Sequence, residues 1–538
     1  MGRAVMGRNA AVPRGGRLAV LLAVAMLAAA CDVGGTSTPE PPGTLHILAG
    51  SELKDLEPIL PQIQSATGVN LKFDYIGTLD GAQQIVGGDS HPLAWFSSNR
   101  YLSLLQGTKN RIVAQQPIML SPVVMGVKHS AAQRLGWAGK ADLTWRDIAA
   151  ASKAGTLRFA MTDPSSSNSG FSALAGVASA FAASGAALDS GQIDSAALKD
   201  FFTGQKLTAG SSGFLADSFV RSQDDLDGLI NYESVLLSLN AGGKLHEQLD
   251  LLYPKEGIVT ADYPLMLLSK DGGVRAKYDK VVAYLRSDKV QQQIMSSTAR
   301  RPSVPSVPLD SRFPKTVLVE LAFPGSLSVV NNLITAYLDQ IRPPSTTTYV
   351  LDLSGSMQGD RLDSLKRALD NLTGLDTSIT GSFARFRRRE HITIVTFSSQ
   401  VEDTREFDIN DVSPQSQDFI GLRAYIDGLR AGGGTAIYDA IYQAFQITGQ
   451  KKAADPNRFY SVVLMTDGEN NAGRDGTRFL QDFHNLPEDT QKIKAFTVLL
   501  GEANPDQLKQ LASLTGGQVF DARNAPLSQI FKQVRGYD

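Results

Sequence analysis

Residues 348–357 read TYVLDLSGSM. An apolar run suited to a buried strand ends in Asp352, and Ser354 and Ser356 follow at a spacing of two, with Gly355 between them. Three oxygen-bearing side chains on one turn suit either a ligand site or a plain polar turn, and the rest of the chain has to decide between them. Reading outward, strands and helices alternate: strand 347–353, helix 360–373, strand 391–398, helices 416–430 and 436–448, strand 459–466, helix 475–485, strand 493–500 and helix 505–514. The short apolar strands FYSVVLM (459–465) and IKAFTVLL (493–500) suit a parallel sheet buried on both faces. The alternation predicts a doubly wound, mostly parallel α/β domain over 345–538. RPPS (342–345) breaks the preceding helix and opens this region. The basic run RFRRRE (385–390) is read as a solvated connection into the strand at His391; the alternative is a contact with an anionic surface.

Ligands of such sheets gather at the carboxyl ends of the strands. Two more oxygen donors fall there. Thr435 ends AGGGT (431–435), and Asp467 follows the strand in VVLMTDG (462–468). The set D-x-S-x-S, then a threonine, then T-D-G resembles the von Willebrand factor type A domain and its metal-ion-dependent adhesion site. The resemblance covers 346–538 and implies a site for Mg²⁺ (or Mn²⁺). Mg²⁺ is a hard ion that takes six oxygens and keeps water readily. The resemblance implies that Ser354, Ser356 and Thr435 bind it directly, with Asp352 and Asp467 acting through water and hydrogen bonds. Neutral ligands leave the ion electrophilic, so its open position can take an Asp or Glu from a protein partner. Gly432, Gly433 and Gly434 let the loop approach closely. The bland alternative for 352–356 alone is a polar strand-to-helix turn.

The amino-terminal end carries a different signal. Arg3, Arg8, Arg14 and Arg17 precede an apolar stretch, LAVLLAVAMLAAA (18–30), with no acid before Asp32. That stretch is short for a membrane span and suits the core of a secretory signal. Ala28, Ala29 and Ala30 lead into Cys31, the chain's one cysteine, so no intrachain disulfide exists. The order resembles a bacterial lipoprotein signal, which implies cleavage before a lipid-modified Cys31 and anchoring on the extracytoplasmic face of a membrane. The common pattern has Leu where Ala28 stands; Leu27 is one place earlier. The alternative is an ordinary signal peptide with an incidental cysteine. If the cell has two membranes, Asp32 resembles a signal for retention at the inner one. Residues 1–30 are thus read as the signal, and 31–43, with GGTSTPEPPG, as an anchor and flexible tether.

Residues 44–340 mix α and β. TLHILAG, VNLKFDYIG, PIMLSPVVMGVK, LRFAMTD and YPLMLLSK read as strands; ELKDLEPILPQIQSATG and FSALAGVASAFAA read as helices, and LTWRDIAA as a turn entering one. HILAGSELKDLEPIL, SPVVMGVK, LTWRDI and AMTDPSSSNSGFSAL resemble the two-lobed bacterial extracellular solute-binding proteins. That implies α/β lobes with a ligand in the cleft between them. The loop after Asp163 presents Ser165, Ser166, Ser167 and Ser169 where a helix begins, and helix N-termini favour anions or carboxylates. Ser51, at the end of the first strand, is the candidate from the other lobe, and Tyr232 and Glu233 are further polar candidates. A capping, solvated serine loop is the plainer alternative. FSSN (96–99) is equally ambiguous.

A chain of 538 residues suggests three or four units. A net charge of −2 offers no case for nucleic acid as a partner. G-x-x-x-x-G-K-[ST] is absent; AGGKLHE (241–247) has Leu245 where Ser or Thr is needed. The six histidines form no H-E-x-x-H. With no catalytic constellation, the chain reads as a binding protein and not as an enzyme. Two functions follow: a surface-anchored lipoprotein that binds a small solute and, through Mg²⁺, protein partners; or the solute-capture component of an ABC-type transport system with a regulatory A domain.

Overall fold

A computed structural model describes residues 41–105, 111–314, 318–501, 504–523 and 527–536. The signal, Cys31 and most of the tether lie outside the described residues. The chain divides into a short unit, Met1–Thr44, and a large one, Leu45–Asp538. Of the short unit, Thr44 Oγ1 closes a turn on the Pro41 carbonyl at 2.7 Å.

Among the described residues, the large unit holds three sheets. The first runs in the order Leu71–Ile76, Leu45–Gly50, Leu93–Trp95, Pro264–Leu267, Ala114–Pro117. Its first three strands are parallel, and Pro264–Leu267 is antiparallel to both neighbours. The second runs Val259–Ala261, Met119–Lys128, Gly228–Tyr232, Phe159–Thr162, Gln205–Ala209. The chain crosses between these sheets directly from Pro117 to Met119 and from Ala261 to Pro264, and returns through the helices after Leu267 to Arg301–Pro302, which pairs with Met119–Lys128. Two α/β lobes joined by these crossings are the result. Tyr263, on the second crossing, has φ 42°, a left-handed backbone uncommon for a bulky residue, and its carbonyl accepts from Trp95 Nε1 at 2.9 Å.

The long apolar strand 119–128 forms because its residues are buried almost throughout. Thr144 starts the helix Trp145–Lys153 with a reciprocal cap: Asp147 N donates to Thr144 Oγ1 and Thr144 N to Asp147 Oδ2, each at 2.9 Å. The segment after the first strand departs from the expected single helix. Ser51–Ile59 is a 3₁₀ helix containing Pro58, and the α-helix begins at Leu60. A proline inside the segment removes one backbone donor, which a 3₁₀ stretch tolerates better.

The third sheet runs Val401–Ile409, Glu390–Phe397, Ser345–Asp352, Phe459–Thr466, Lys494–Leu499, Val519–Asp521. All pairings are parallel except that of the edge strand Val401–Ile409. Every residue of Ser345–Asp352 is buried, as a central strand covered on both faces requires. The run 385–390 is a correction. Arg387 is 1% exposed and Glu390 4%. Glu390 accepts from Arg342 at 2.9 Å, from Arg535 at 2.7 and 2.9 Å, and from the Arg387 amide at 3.0 Å. The helix Leu527–Arg535 brings Arg535 to this carboxylate, so Arg387 and Glu390 of the run are enclosed, while Arg388 stays exposed.

Candidate functional site

Asp352 closes the central strand and is fully buried. Its Oδ1 accepts from the Ser354 amide at 2.7 Å and its Oδ2 from Thr466 Oγ1 at 2.5 Å. The Ser354 and Ser356 hydroxyls are 3.0 Å apart, and Ser356 Oγ donates to Asp467 Oδ1 at 2.7 Å. Thr435 reaches the same spot: a Cβ placed on Gly468 would lie 3.4 Å from Thr435 Oγ1 and 3.8 Å from Ser356 Oγ. The glycine loop folds back so that the Gly355 amide donates to the Gly433 carbonyl at 3.0 Å, with Gly433 at φ 83°. The five side chains quoted from three separate stretches therefore meet at one edge of the sheet. Ser356 is exposed at the rim, while Ser354, Thr435 and Asp467 are buried beneath it.

Burial pushes the Asp352 carboxyl above its ordinary range, and the nearby Asp467 charge adds to that push against the hydrogen bonds from Thr466 and Ser354. Two buried carboxylates beside three neutral hydroxyls form an all-oxygen donor set short of positive charge. That chemistry fits a hard divalent cation. Ser354, Ser356 and Thr435 would hold it, with Asp352 and Asp467 behind them; the ion would supply a Lewis-acidic position for a carboxylate. Arg361 Nη1 already lies 2.5 Å from Asp467 Oδ2, giving part of the missing charge. Asn471 is a further participant: its Oδ1 accepts from the Thr435 amide at 2.8 Å and its own amide donates to the Thr435 carbonyl at 2.9 Å. Asn471 follows TDGEN at once, and its proximity in sequence to Asp467 was the available clue.

The second set lies where the two lobes meet. Tyr232 Oη donates to Ser97 Oγ at 2.8 Å, and Asn168 Nδ2 donates to Tyr232 Oη at 3.1 Å. Ser97 Oγ is in turn 3.4 Å from Thr78 Oγ1. This polar chain runs from the second lobe into the first, and all four side chains are buried. Burial, with the Glu52 charge nearby, holds the Tyr232 phenol well above its ordinary value. Ser51 opens the 3₁₀ helix after the first strand and is half-buried. Beside it, Glu52 has a buried Oε1 without a hydrogen-bond partner, and burial raises its pKa. An unpartnered buried carboxylate oxygen is costly unless something occupies it.

The serine loop is largely turned inward. Ser165 donates to Asp163 Oδ1 through both its amide, at 2.6 Å, and its hydroxyl, at 2.5 Å. Ser166 Oγ donates to the carbonyls of Asp163 and Gly210 at 3.3 Å each. Ser167 Oγ is 3.2 Å from Ser169 Oγ, which also meets Thr162 and Ser212. The hydroxyl of Ser169 is thus used within its own lobe, and the expectation of a free donor there is corrected. Glu233 is corrected as well. It is fully buried in a bidentate pair with Arg301, 2.7 Å on each side, and accepts from Tyr253 Oη at 2.5 Å. The loop backbone does reach the other lobe: a Cβ on Gly77 would lie 2.7 Å from the Ser166 carbonyl. Asp163 and Ser165 also face Arg387, Arg535 and Gly536 of the carboxyl-terminal region.

Residues 45–297 match the family model of the bacterial extracellular solute-binding proteins. Residues 348–533 match that of the von Willebrand factor type A domain. The chain joins a solute-binding domain to a type A domain. Among curated proteins, this chain is similar to inter-alpha-trypsin inhibitor heavy chain H3 of Pongo abelii, 24% identical over 180 residues, 32% of this chain and 19% of that protein. Heavy chain H4 of Homo sapiens is 25% identical over 165 residues, 29% of this chain and 16% of that protein. The match thus spans under a fifth of each relative's length. Among solved structures, similarity extends to the periplasmic binding protein AfuA from Actinobacillus pleuropneumoniae with fructose-6-phosphate bound. The identity is 16% and the TM-score 0.43, over 56% of this chain and 99% of that one. A von Willebrand factor type A protein from Catenulispora acidiphila is 17% identical, with a TM-score of 0.29, over 36% of this chain and 42% of that one. Among the described residues, no helix is long and apolar enough to cross a membrane.

Proposed function

We propose that this chain is a lipoprotein of the extracytoplasmic membrane face. In this reading Cys31 carries the lipid and residues 44–340 bind a small solute. The region 345–538 holds a protein partner's Asp or Glu through Mg²⁺ or Mn²⁺. The observation that carries the reading is the meeting of Asp352, Ser354, Ser356, Thr435 and Asp467 at one sheet edge. The solute role is supported by the polar chain Ser97–Tyr232–Asn168 between the lobes and by the unpartnered Glu52 oxygen beside it.

A pull-down from surface extracts tests the partner role. Partners should be retained with Mg²⁺ and released by a chelator or by Thr435→Ala. Retention that ignores both would remove the adhesive reading. Replacing Cys31→Ser and fractionating cells tests the anchor: an unlipidated protein still bound to the membrane as wild type would end it. A solute raises the melting temperature by mass action, so a thermal screen of anions, amino acids, amines and sugars identifies the solute class. No shift at millimolar concentration would count against the cleft.

A further inference from the structure

We infer a second metal site, distinct from the sheet edge around Asp352, on the outer part of the first lobe: His46, Asp74 and His91 bind a divalent transition ion of the Zn²⁺ type. Three neighbouring strands bring them together. His46 lies on Leu45–Gly50 and Asp74 on the parallel strand Leu71–Ile76, while His91 lies two residues before Leu93–Trp95. One ligand atom from each falls within 4.8 Å of the other two. His46 Nδ1 is 2.6 Å from Asp74 Oδ2, and His91 Nε2 is 3.1 Å from the same oxygen.

The second carboxylate at His91 is the deciding geometry. Asp89 Oδ1 lies 2.6 Å from His91 Nδ1 and also accepts the His91 amide at 2.7 Å. Gln84 Nε2 holds the other Asp89 oxygen at 2.6 Å, and Arg111 donates to the Asp89 carbonyl at 2.8 Å. An imidazole that donates its Nδ1–H to a carboxylate so placed presents its Nε2 lone pair on the other side of the ring. That lone pair faces an Asp74 oxygen across 3.1 Å. Two electron-rich atoms at that distance need a cation between them, either a proton or a metal ion. A carboxylate behind a histidine that offers its other nitrogen is the usual support of a metal-bound imidazole. Two imidazoles and one carboxylate, with a half-exposed face for water, match a three-ligand Zn²⁺ site with an open fourth position.

The test is Zn²⁺ titration of the full chain by calorimetry, in excess Mg²⁺ to occupy the Asp352 edge, with Co²⁺ absorption as a second readout. Wild type should take one Zn²⁺ and give the visible bands of a low-coordinate Co²⁺ ion. His46→Gln, His91→Gln and Asp74→Asn should lose both signals. Asp89→Asn should weaken binding by about 10–100-fold. Asp352→Asn should leave the Zn²⁺ signal unchanged, which separates this site from the proposed adhesion site. A wild-type chain that takes up no Zn²⁺ at micromolar concentration would show that the cluster holds only a proton and would overturn the inference. Equal uptake by wild type and His91→Gln would do the same.

Discussion

Tyr232 Oη donates to Ser97 Oγ at 2.8 Å, and this bond joins the second lobe to the first. Asn168, from the same lobe as Tyr232, donates to the phenol oxygen and holds it in place for the bond across the boundary. Tyr232→Phe removes the donor for Ser97 and the acceptor for Asn168, leaving buried polar groups unpaired. Such a loss costs about 1–3 kcal/mol, which is roughly 5–150-fold in the ratio of closed to open lobes. Small-angle scattering of the solute-free protein should show a larger mean dimension for the variant. A profile identical to wild type, with unchanged amide exchange around Ser97, would mean that this bond does not hold the lobes together.

Glu233 plays a different part from its neighbour. Its side chain is fully buried and its partner Arg301 nearly so, with two parallel hydrogen bonds of 2.7 Å. Removing one member leaves a buried charge uncompensated, which costs about 3–5 kcal/mol. Arg301→Met should lower the urea midpoint clearly, and Arg301→Met with Glu233→Leu should recover much of it. A double variant as unstable as the single one would show that the pair contributes more than charge cancellation.

A pH signature is expected from Glu390. Burial alone would raise its carboxyl, but Arg535 and Arg342 outweigh burial and hold it below its ordinary value near 4.5. A lowered carboxylate contributes stability that is complete above about pH 4.5 and is lost as pH falls through the lower folded value. Glu390→Gln removes that contribution at neutral pH, at a cost of about 3–5 kcal/mol. Denaturant midpoints of wild type and variant should therefore differ near pH 7 and converge in acid. A gap that stays constant down to about pH 3 would contradict the assigned direction.

The oxygen pattern of 348–357 was legible because the strand's YVL core is apolar, so the polar turn after it stands out. Asp467 was legible in the same way after the apolar VVLM, and Thr435 by the three glycines before it. The edge strand Val401–Ile409 was not: exposed on one side, it carries Glu402, Asp403, Arg405, Glu406 and Asp408 and shows no apolar run. The basic run 385–390 misled because the partners of its buried members are remote in sequence: Asp339 lies 3.5 Å from Arg387 Nη1, and Arg535 reaches Glu390 across 145 positions. In the cleft, the serines drew notice by number, yet Asn168 within the same loop makes the contact with Tyr232. Which of several adjacent polar side chains points outward depends on backbone turns such as the one Asp163 closes on Ser165, and composition carries no record of that.

The Asp352 edge yields the sharpest prediction, because its members differ in kind. Thr435→Ala deletes a hydroxyl that would bind the ion directly. Asp352→Asn keeps the shape but removes a charge behind the ligands and should weaken Mg²⁺ by about 10–100-fold. Arg361→Gln acts in the opposite direction: the guanidinium 2.5 Å from Asp467 Oδ2 is a tethered positive charge, and its removal should tighten Mg²⁺ binding. Both acidic and hydroxyl variants should still fold, since these residues sit where strands give way to loops. Acid should weaken binding earlier than for an ordinary carboxylate site, because burial raises the Asp352 carboxyl and metal must compete with its proton. Calorimetry with Mg²⁺ on the full chain reads all of these effects. Equal heats from wild type and Thr435→Ala would sink the metal assignment. Weaker binding by Arg361→Gln would show instead that Arg361 positions Asp467 for the ion rather than standing in for it.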